Sequence, residues 1–444
     1  MKILAIDPAG AALDWYMRCL DAGHKVKVWM KPGEKTEYIG KGIIDKVEDW
    51  RPLADWADMI FLADNTRFLE AADVLRRQGK CVLGPTKESA EWELDRGIGQ
   101  EIFKKNGIGT IPSEVFSNYD QAIKFVKKNM KRYVSKPSGD ADKALSYVSK
   151  TPEDMIFMLE RWKKNAKLKG EFILQEFVPG IEMAVGGWFG PGGFNAGWCE
   201  NFEFKKLMND DMGPNTGEQG TIVRYVKKSK LADMVLAPLE EDLAATGHTG
   251  FVDVSVIIDE GGTPWPLEFT MRNGYPTFNI QQALHEGDPV EWLSMLARGE
   301  DAEIVIMDTV AAGVVLSIPD YPYSHLTKKE VVGIPVYGIE KYRDKICPAE
   351  MMIGSAPHQI DGKIKDKECL VTGGDYVLIA NGTGESVSSA SKDAYQVLKS
   401  LTIPNSPMYR SDIGDRLRGQ LPKLQKMGFA LSLNYSADKK PPAK

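Results

Sequence analysis

The feature that most constrains the fold is an alternation of short apolar strands and amphipathic helices over the first hundred residues. Strand-like runs (KILAID, KVKVWM, DMIFLAD, CVLGPT) alternate with helix-like runs (LDWYMRCLDAG, FLEAADVLRRQG). Such alternation is typical of a parallel sheet covered on both faces. It predicts a doubly wound α/β domain over residues 1–107, with ligands at the carboxyl ends of its strands.

The rest of the chain has the strand and helix pattern of α+β domains. The whole chain, at 444 residues, is long enough for several packed domains. We predict four further segments from the spacing of strand, helix and turn signals. They are a lid subdomain over 108–187, a main subdomain with the metal site over 188–310, a small mixed β-rich domain over 311–435 and a flexible tail over 436–444.

Composition excludes several classes of function. The net charge of −6 argues against nonspecific nucleic-acid binding, and no apolar run reaches the ~20 residues that span a bilayer. Five dispersed cysteines and five histidines form no metal-spaced pair. A cytoplasmic protein is therefore expected, whose chemistry depends on carboxylates, lysines, arginines and backbone amides.

Two acids stand in neighbouring apolar strands, FVDVSVIID and PWPLEFT. Asp253 and Glu268 each have apolar flanking residues, and a Gly-rich turn joins the two strands. Burying such carboxylates is costly unless they bind a cation or pair with a basic side chain. A magnesium ion would satisfy both acids. The equally weighted alternative is that each acid pairs with a lysine or an arginine, and Arg272 is one available partner.

Two further segments have features of a nucleotide site. Lys136 and Lys143 flank a polar turn and could converge on a polyphosphate, although isolated lysines are usually only solvated. The strand FILQEFV ends at 176–178, where backbone groups could meet an adenine edge, and Glu182 could accept from ribose hydroxyls. A dinucleotide site after KILAID is disfavoured, because residues 8–12 lack the GxGxxG spacing.

A loop rich in glycine, MGPNTGEQG, could expose backbone amides to an anion. Lys205 lies upstream, Asp211 lies at its edge, and Asn215 and Thr216 lie within it. The alternative is an ordinary hairpin connection, which Asn, Gly and Pro also favour.

Taken in order, these segments resemble the glycinamide ribonucleotide synthetase (phosphoribosylamine–glycine ligase) family of the ATP-grasp superfamily. The similar segments are GPTKESAEWELDRG, YVSKPSGDADKAL, LQEFVPGIE, DMGPNTGEQG and LEFTMRNGYP, with weaker similarity continuing to MYRSDIGDR. The resemblance implies an ATP-grasp fold between a doubly wound N-terminal domain and a small β-rich C-terminal domain.

The resemblance also implies cofactors and roles. ATP with Mg²⁺ or Mn²⁺ would activate a carboxylate as an acyl phosphate, which an amine then attacks. Small-molecule substrates, no membrane partner and a monomer or homodimer are expected. The implied roles are ATP phosphates for Lys136 and Lys143, adenine for Glu176, Phe177 and Val178, ribose for Glu182, metal for Asp253 and Glu268, catalysis for Arg272 and Lys205, and substrate contact for Asp211, Asn215, Thr216 and Gly274.

Departures from the family pattern concentrate on the acceptor side. The GGREH-like N-terminal loop, expected to face the sugar phosphate, is replaced by residues 8–14. The family's GPNTGGMGA loop reads GPNTGEQGT here, with Glu218 in place of a glycine. Thr270 replaces the asparagine of the family's metal-binding strand, and Gly97, next to Arg96, replaces the family's linker lysine. These changes predict an altered acceptor, with an amino acid joined to an amine on a nucleotide or related small molecule.

Two alternatives stay open. One is glycinamide ribonucleotide synthesis itself, in purine biosynthesis. The other is an ATP-binding module without catalysis, against which the joint presence of the two lysines, two acids and Arg272 argues.

Overall fold

The computed structural model describes residues 1–33, 35–137, 146–165, 171–324, 327 and 329–436. Lys143 and the predicted tail from residue 437 onward lie outside the described residues. The chain forms two compact units. The first contains residues 1–90, 183–253 and 270–444, and the second contains residues 91–182 and 254–269. The predicted four-segment boundaries stay a prediction.

The first unit begins with a five-stranded parallel sheet. Its elements are β1 (Lys2–Ile6), α1 (Leu13–Asp21), β2 (Lys25–Trp29), β3 (Asp45–Lys46), β4 (Met59–Leu62), α2 (Leu69–Arg77) and β5 (Val82–Leu83). The strand order is β3–β2–β1–β4–β5, and every pair is parallel. Alternate residues of β1 enter two different apolar clusters, Ile3 in one and Leu4 in the other. Both faces are therefore covered, as predicted.

An antiparallel sheet forms the larger part of the first unit. Six of its strands are β10 (Ile181–Gly190), β11 (Gly193–Glu203), β14 (Gly220–Val226), β19 (Val310–Ser317), β20 (Ile346–Pro348) and β23 (Tyr376–Gly384). Their order is β10–β11–β14–β19–β23–β20. Aromatic rings join the two sheets in one core, since the Trp15 ring lies 4.5 Å from Phe61 and 6.4 Å from Phe278.

Helices and short ribbons complete the first unit. The helices are α7 (Lys230–Val235), α8 (Glu240–Thr246), α9 (Thr277–Gln281), α10 (Glu291–Arg298), α11 (Val387–Ser400) and α12 (Leu417–Lys426). The ribbons pair β12 (Lys206–Met208) with β13 (Met212–Asn215), β17 (His285–Glu286) with β18 (Val305–Ile306), and β21 (Met351–Ile360) with β22 (Lys363–Thr372).

The second unit is built around a four-stranded sheet of order β6–β9–β7–β8. Its elements are β6 (Ser113–Phe116), α5 (Tyr119–Asn129), β7 (Tyr133–Pro137), β8 (Tyr147–Val148), α6 (Pro152–Asn165) and β9 (Phe172–Glu176), preceded by α3 (Lys87–Leu94) and α4 (Arg96–Lys105). Helices α5 and α6 bury an apolar cluster that includes Tyr119, Leu159 and Leu174. The predicted mixed α/β and α+β fold class is confirmed.

Two strands cross the division between the units. Strand β15 (Gly250–Ile258) and strand β16 (Pro264–Thr270) are hydrogen-bonded neighbours, and residues 254–269 belong to the second unit. Asp259 shapes the turn between them, because its carboxylate accepts from the Gly261 and Thr263 amides at 2.9 Å each. The strand pair predicted from the sequence is therefore present.

None of the helices in the described residues is long and apolar enough to cross a membrane. The five cysteines carry free thiols, and Cys19, Cys199 and Cys347 are buried, as the sequence predicts.

Two histidines of the first unit predict an acid-sensitive fold. Burial lowers the pKa of His248 and of His285 from 6.5 to about 3. Below pH 6.5 the unfolded chain therefore binds protons that the native protein does not, so stability falls as the pH falls toward 3. Each histidine is expected to remove about 1.4 kcal/mol per pH unit in this window.

Urea unfolding at about pH 7 and about pH 5 measures this dependence. His285 Nε2 lies 2.9 Å from the Tyr225 hydroxyl, and His285→Gln keeps a polar group at that position without a titrating ring. The variant should lose less stability than the wild type on acidification. An unchanged pH dependence in the variant would show that His285 does not contribute to it.

Candidate active site

The two predicted metal-binding acids occupy different environments. Asp253, in the part of β15 that belongs to the first unit, is 4% exposed, and its Oδ2 accepts from Asn201 Nδ2 at 2.8 Å. Glu268, on β16 in the second unit, has a side chain that is 39% exposed. The sequence correctly placed both on adjacent strands, but it did not distinguish a buried carboxylate from an accessible one.

Glu268 has an arginine partner that the sequence interpretation did not select. Its Oε2 lies 3.1 Å from Arg96 Nη2, whereas the pairing considered from the sequence was with Arg272. Asp95 begins α4 and accepts from the Gly97 and Ile98 amides at 2.8 and 3.2 Å. This N-cap places Arg96 in the first turn of the helix. Arg96 therefore supplies a basic side chain to Glu268, although the adjacent family lysine is replaced by Gly97.

The donor chemistry of the two acids fits magnesium. The described residues contain no group of three or more His, Cys, Asp or Glu side chains that could hold a metal ion by themselves. Magnesium needs no such group, because one or two carboxylates together with nucleotide phosphates are a usual ligand set. The Asp253 and Glu268 carboxylates are each a hard oxygen donor of this kind, and a metal site shared by the two stays a prediction. When bound, the metal would neutralise the phosphate charge.

Three of the predicted nucleotide residues, Glu176, Phe177 and Val178, lie at the end of β9 in the second unit, whereas Lys136 lies opposite the start of that strand. Lys136 on β7 is in register with Ile173 of β9. Glu176 accepts from Lys131 Nζ at 2.7 Å, and the Arg132 guanidinium lies 3.6 Å from the centre of the Phe177 ring. Val178 and Glu182 are both half-buried.

A cavity of about 250 Å³ lies beside this strand end. Its lining includes Thr110, Pro112, Tyr133, Leu174 and Glu176, all in the second unit. The Glu176 amide donates to the Pro112 carbonyl at 2.9 Å, which closes one wall of the cavity. A purine-sized ligand is compatible with this volume.

The GPNTG segment forms a hairpin at its start. Asn215 on β13 pairs with Lys206 on β12, and the Thr216 amide donates to the Lys205 carbonyl at 3.0 Å. Lys205 Nζ lies 3.0 Å from Glu203 Oε2. The backbone of this first half therefore adopts the hairpin that the sequence left as an alternative. A substrate role for Lys205, Asn215 and Thr216 stays a prediction.

Asp211 is held by two arginines from near the end of the chain. Its carboxylate lies 2.9 Å from Arg410 Nη1 and 3.1 Å from Arg416 Nη1, and the Arg410 side chain is 1% exposed. The two arginines therefore anchor the turn of the hairpin, which residues 209–211 form. No local sequence pattern predicts this contact, because the arginines follow 199 and 205 residues later in the chain.

The other two predicted residues, Arg272 and Gly274, lie in the segment after β16. Arg272 Nη1 donates to the Asn273 carbonyl at 3.4 Å, and the Gly274 carbonyl accepts from the Phe278 amide at 2.7 Å. The turn from Gly274 to Thr277 thus leads directly into α9. Its last residue, Thr277, donates to Glu218 Oε2 at 3.2 Å, which connects this turn to the GPNTG segment.

Comparison with known proteins adds to this geometry. Residues 96–277 match the family model described as "Phosphoribosylglycinamide synthetase, ATP-grasp (A) domain". Residues 96–277 therefore contain the ATP-grasp domain that this model describes. The predicted resemblance is confirmed, and so, at the level of the family, is the predicted class of ATP-grasp ligase.

Curated relatives have names from the same family. The phosphoribosylamine–glycine ligase of Ralstonia nicotianae is 25% identical over 78% of this chain and 80% of its own length. That of Vibrio parahaemolyticus is 26% identical over 78% and 79%. The solved phosphoribosylamine–glycine ligase of Thermotoga maritima has a TM-score of 0.68 at 23% identity, covering 93% of this chain and all of the other. A Bacillus licheniformis L-amino acid ligase has a TM-score of 0.58 at 12% identity, covering 91% and 98%, and supports the fold alone.

The loop after β1 is filled by a carboxylate of the chain itself. Asp7 accepts from the amides of Gly10, Ala11 and Ala12 at 2.9–3.0 Å and from the Tyr16 hydroxyl at 3.0 Å. Successive backbone amides of this kind are an anion-binding nest. Asp7 is 1% exposed, and burial raises its pKa while the four hydrogen bonds oppose that rise.

Glu218, which the sequence identifies only as a departure from the family pattern, is a second distinctive carboxyl group. The side chain is 7% exposed, and burial raises the pKa of its carboxyl well above the usual range. The neighbouring Glu203 raises this pKa further, and Lys205 opposes it. The sequence signal for this feature is a charged residue in a segment that is otherwise rich in glycine.

Proposed function

We propose that this protein is an ATP-dependent, ADP-forming ligase that joins a carboxylate to an amine through an acyl phosphate, with an acceptor other than phosphoribosylamine. The carboxylate is an amino acid, and the amine belongs to a nucleotide-related or other small molecule. The match of residues 96–277 to the ATP-grasp domain model supports the reaction type.

The nest filled by Asp7 carries the proposal of an altered acceptor. From the family resemblance, the loop after β1 is expected to face the sugar phosphate of the acceptor. Here three amides of that loop donate to Asp7, and its negative charge would repel a phosphate. An acceptor whose phosphate binds at this loop therefore fits poorly.

The proposed role of each site residue follows from its charge. Lys136 and Lys143 would hold the ATP phosphates, and Asp253 and Glu268 would hold Mg²⁺ or Mn²⁺. Arg272 would stabilise the transferring phosphoryl group, with Lys205 toward the substrate. Positioning and charge neutralisation supply most of the catalysis in phosphoryl transfer, so no covalent enzyme intermediate is required.

An ADP-release assay over a panel of amino acids tests the proposal, with each amino acid given alone, with phosphoribosylamine and with other amines. We expect ADP release that requires one amino acid and an amine other than phosphoribosylamine. Turnover with glycine and phosphoribosylamine alone would identify an ordinary glycinamide ribonucleotide synthetase. ATP binding without turnover on any pair would identify a module without catalysis.

A further inference from the structure

Three tyrosines form a group beside Glu218 in the first unit. The ring of Tyr376 lies 5.1 Å from that of Tyr275 and 5.5 Å from that of Tyr321. Tyr275 and Tyr321 are half-buried, so the group reaches the protein surface. The Tyr321 hydroxyl lies 3.1 Å from Gln219 Nε2, which fixes the ring next to the GPNTG segment. We call this group, with Glu218, the tyrosine pocket.

Glu218 is incompletely satisfied in this pocket. Its Oε2 accepts from Thr277 Oγ1 at 3.2 Å, while its Oε1 has no hydrogen-bond partner among the described residues. A carboxylate that is more than nine-tenths buried pays a desolvation cost that one hydroxyl does not offset. A bound cation would offset this cost electrostatically.

The charges around the tyrosines favour a cation over an anion. Glu218 and Glu350 both act electrostatically on Tyr376, and Asp7 and Glu350 act on Tyr275. Glu350 Oε2 accepts from the Tyr376 amide at 3.1 Å. Two lysines act in the opposite sense: Lys205, which is paired with Glu203 at 3.0 Å, acts on Glu218, and Lys35 acts on Glu350.

We propose, on the basis of the ligase activity above, that the tyrosine pocket binds the acceptor as an ammonium group without an adjacent phosphate. Glu218 is its counter-ion, and Tyr275, Tyr321 and Tyr376 provide aromatic contacts. Ammonium groups bind the faces of aromatic rings, especially where water is excluded. The family resemblance places a glycine where this chain has Glu218, so the carboxyl group is a feature of this chain.

Calorimetric binding to the full chain tests the pocket without requiring turnover. Choline and phosphocholine are the matched probes, because they differ only by the phosphate. We expect saturable choline binding, at least about tenfold tighter than phosphocholine binding. Glu218→Gln should weaken choline binding at least about tenfold, Glu218→Asp should retain part of it, and all variants should bind ATP normally.

Glu200→Gln is the matched control. Glu200 is also a buried glutamate of the first unit, 4% exposed, but its partner is Ser229 Oγ at 2.6 Å. This variant should bind choline as the wild type does. Equal or tighter binding of phosphocholine, or an unchanged choline affinity in Glu218→Gln, would overturn the proposal.

The ADP-release assay with ethanolamine and phosphoethanolamine separates failure of the pocket from failure of the ligase. Stimulation by ethanolamine and its loss in Glu218→Gln support the pocket. Stimulation by phosphoethanolamine alone would overturn the pocket and leave the ligase intact. Choline binding that depends on Glu218, without ADP release on any amine, would overturn the ligase and leave the pocket intact.

Discussion

Glu268→Gln is expected to lower the rate of ADP formation at least about 100-fold while leaving the fold intact. The substitution keeps the size of the side chain and removes the charge that would bind the metal. The side chain is 39% exposed, so a ligand can reach it. Steady-state ADP release measures the effect, and circular dichroism with thermal unfolding checks the fold.

The ion pair between Glu268 and Arg96 requires its own control. If Glu268 acts only by holding Arg96, Arg96→Ala should lower the rate as much as Glu268→Gln does. If Glu268 binds the metal, raising the magnesium concentration should partly restore Glu268→Gln but not Arg96→Ala. Near-normal activity in Glu268→Gln would mean that the metal site lies elsewhere.

Asp7→Asn is expected to reduce the free energy of unfolding by about 2–4 kcal/mol. The wild-type carboxylate accepts four hydrogen bonds, two on each oxygen. An amide retains one accepting oxygen and turns an NH₂ group toward two of the four donors. Those donors would remain buried without an acceptor. Urea unfolding measures the change.

Asp58→Asn is the matched control for this substitution. Asp58 also accepts from a backbone amide, that of Lys2 at 2.7 Å, but it is exposed. Water can replace the lost acceptor there, so a change within about 0.5 kcal/mol is expected. A similarly small change in Asp7→Asn would show that the nest is not an important source of stability.

The architecture was accessible from the sequence because local patterns specify it. The parallel sheet follows from apolar runs short enough for strands, as in residues 2–6 and 59–62, separated by amphipathic helices. The β15–β16 pair follows from the turn that begins at Asp259. These signals lie within a few residues of the structure they produce, and so they need no knowledge of the tertiary fold.

The finer features of the site depend on contacts that no local pattern encodes. The pairing of Arg96 with Glu268 joins residues far apart in the chain, and the burial of Asp253 depends on Asn201 from another strand. The replacement of the N-terminal loop was recognised, but the occupation of its amides by Asp7 was not. A departure from a motif shows which family residues are missing, whereas the contacts of the residues that replace them are seen only in the three-dimensional structure.

The order in which the chain is synthesised matters for the first unit, because its segments are separated by the whole of the second. Trp15 and Phe61 form part of a core that also needs Phe278, which leaves the ribosome much later. During translation the N-terminal sheet would present that apolar face to the cell while residues 91–182 fold. Newly made chains are therefore expected to depend on chaperones or slow emergence, and truncations before Phe278 should aggregate.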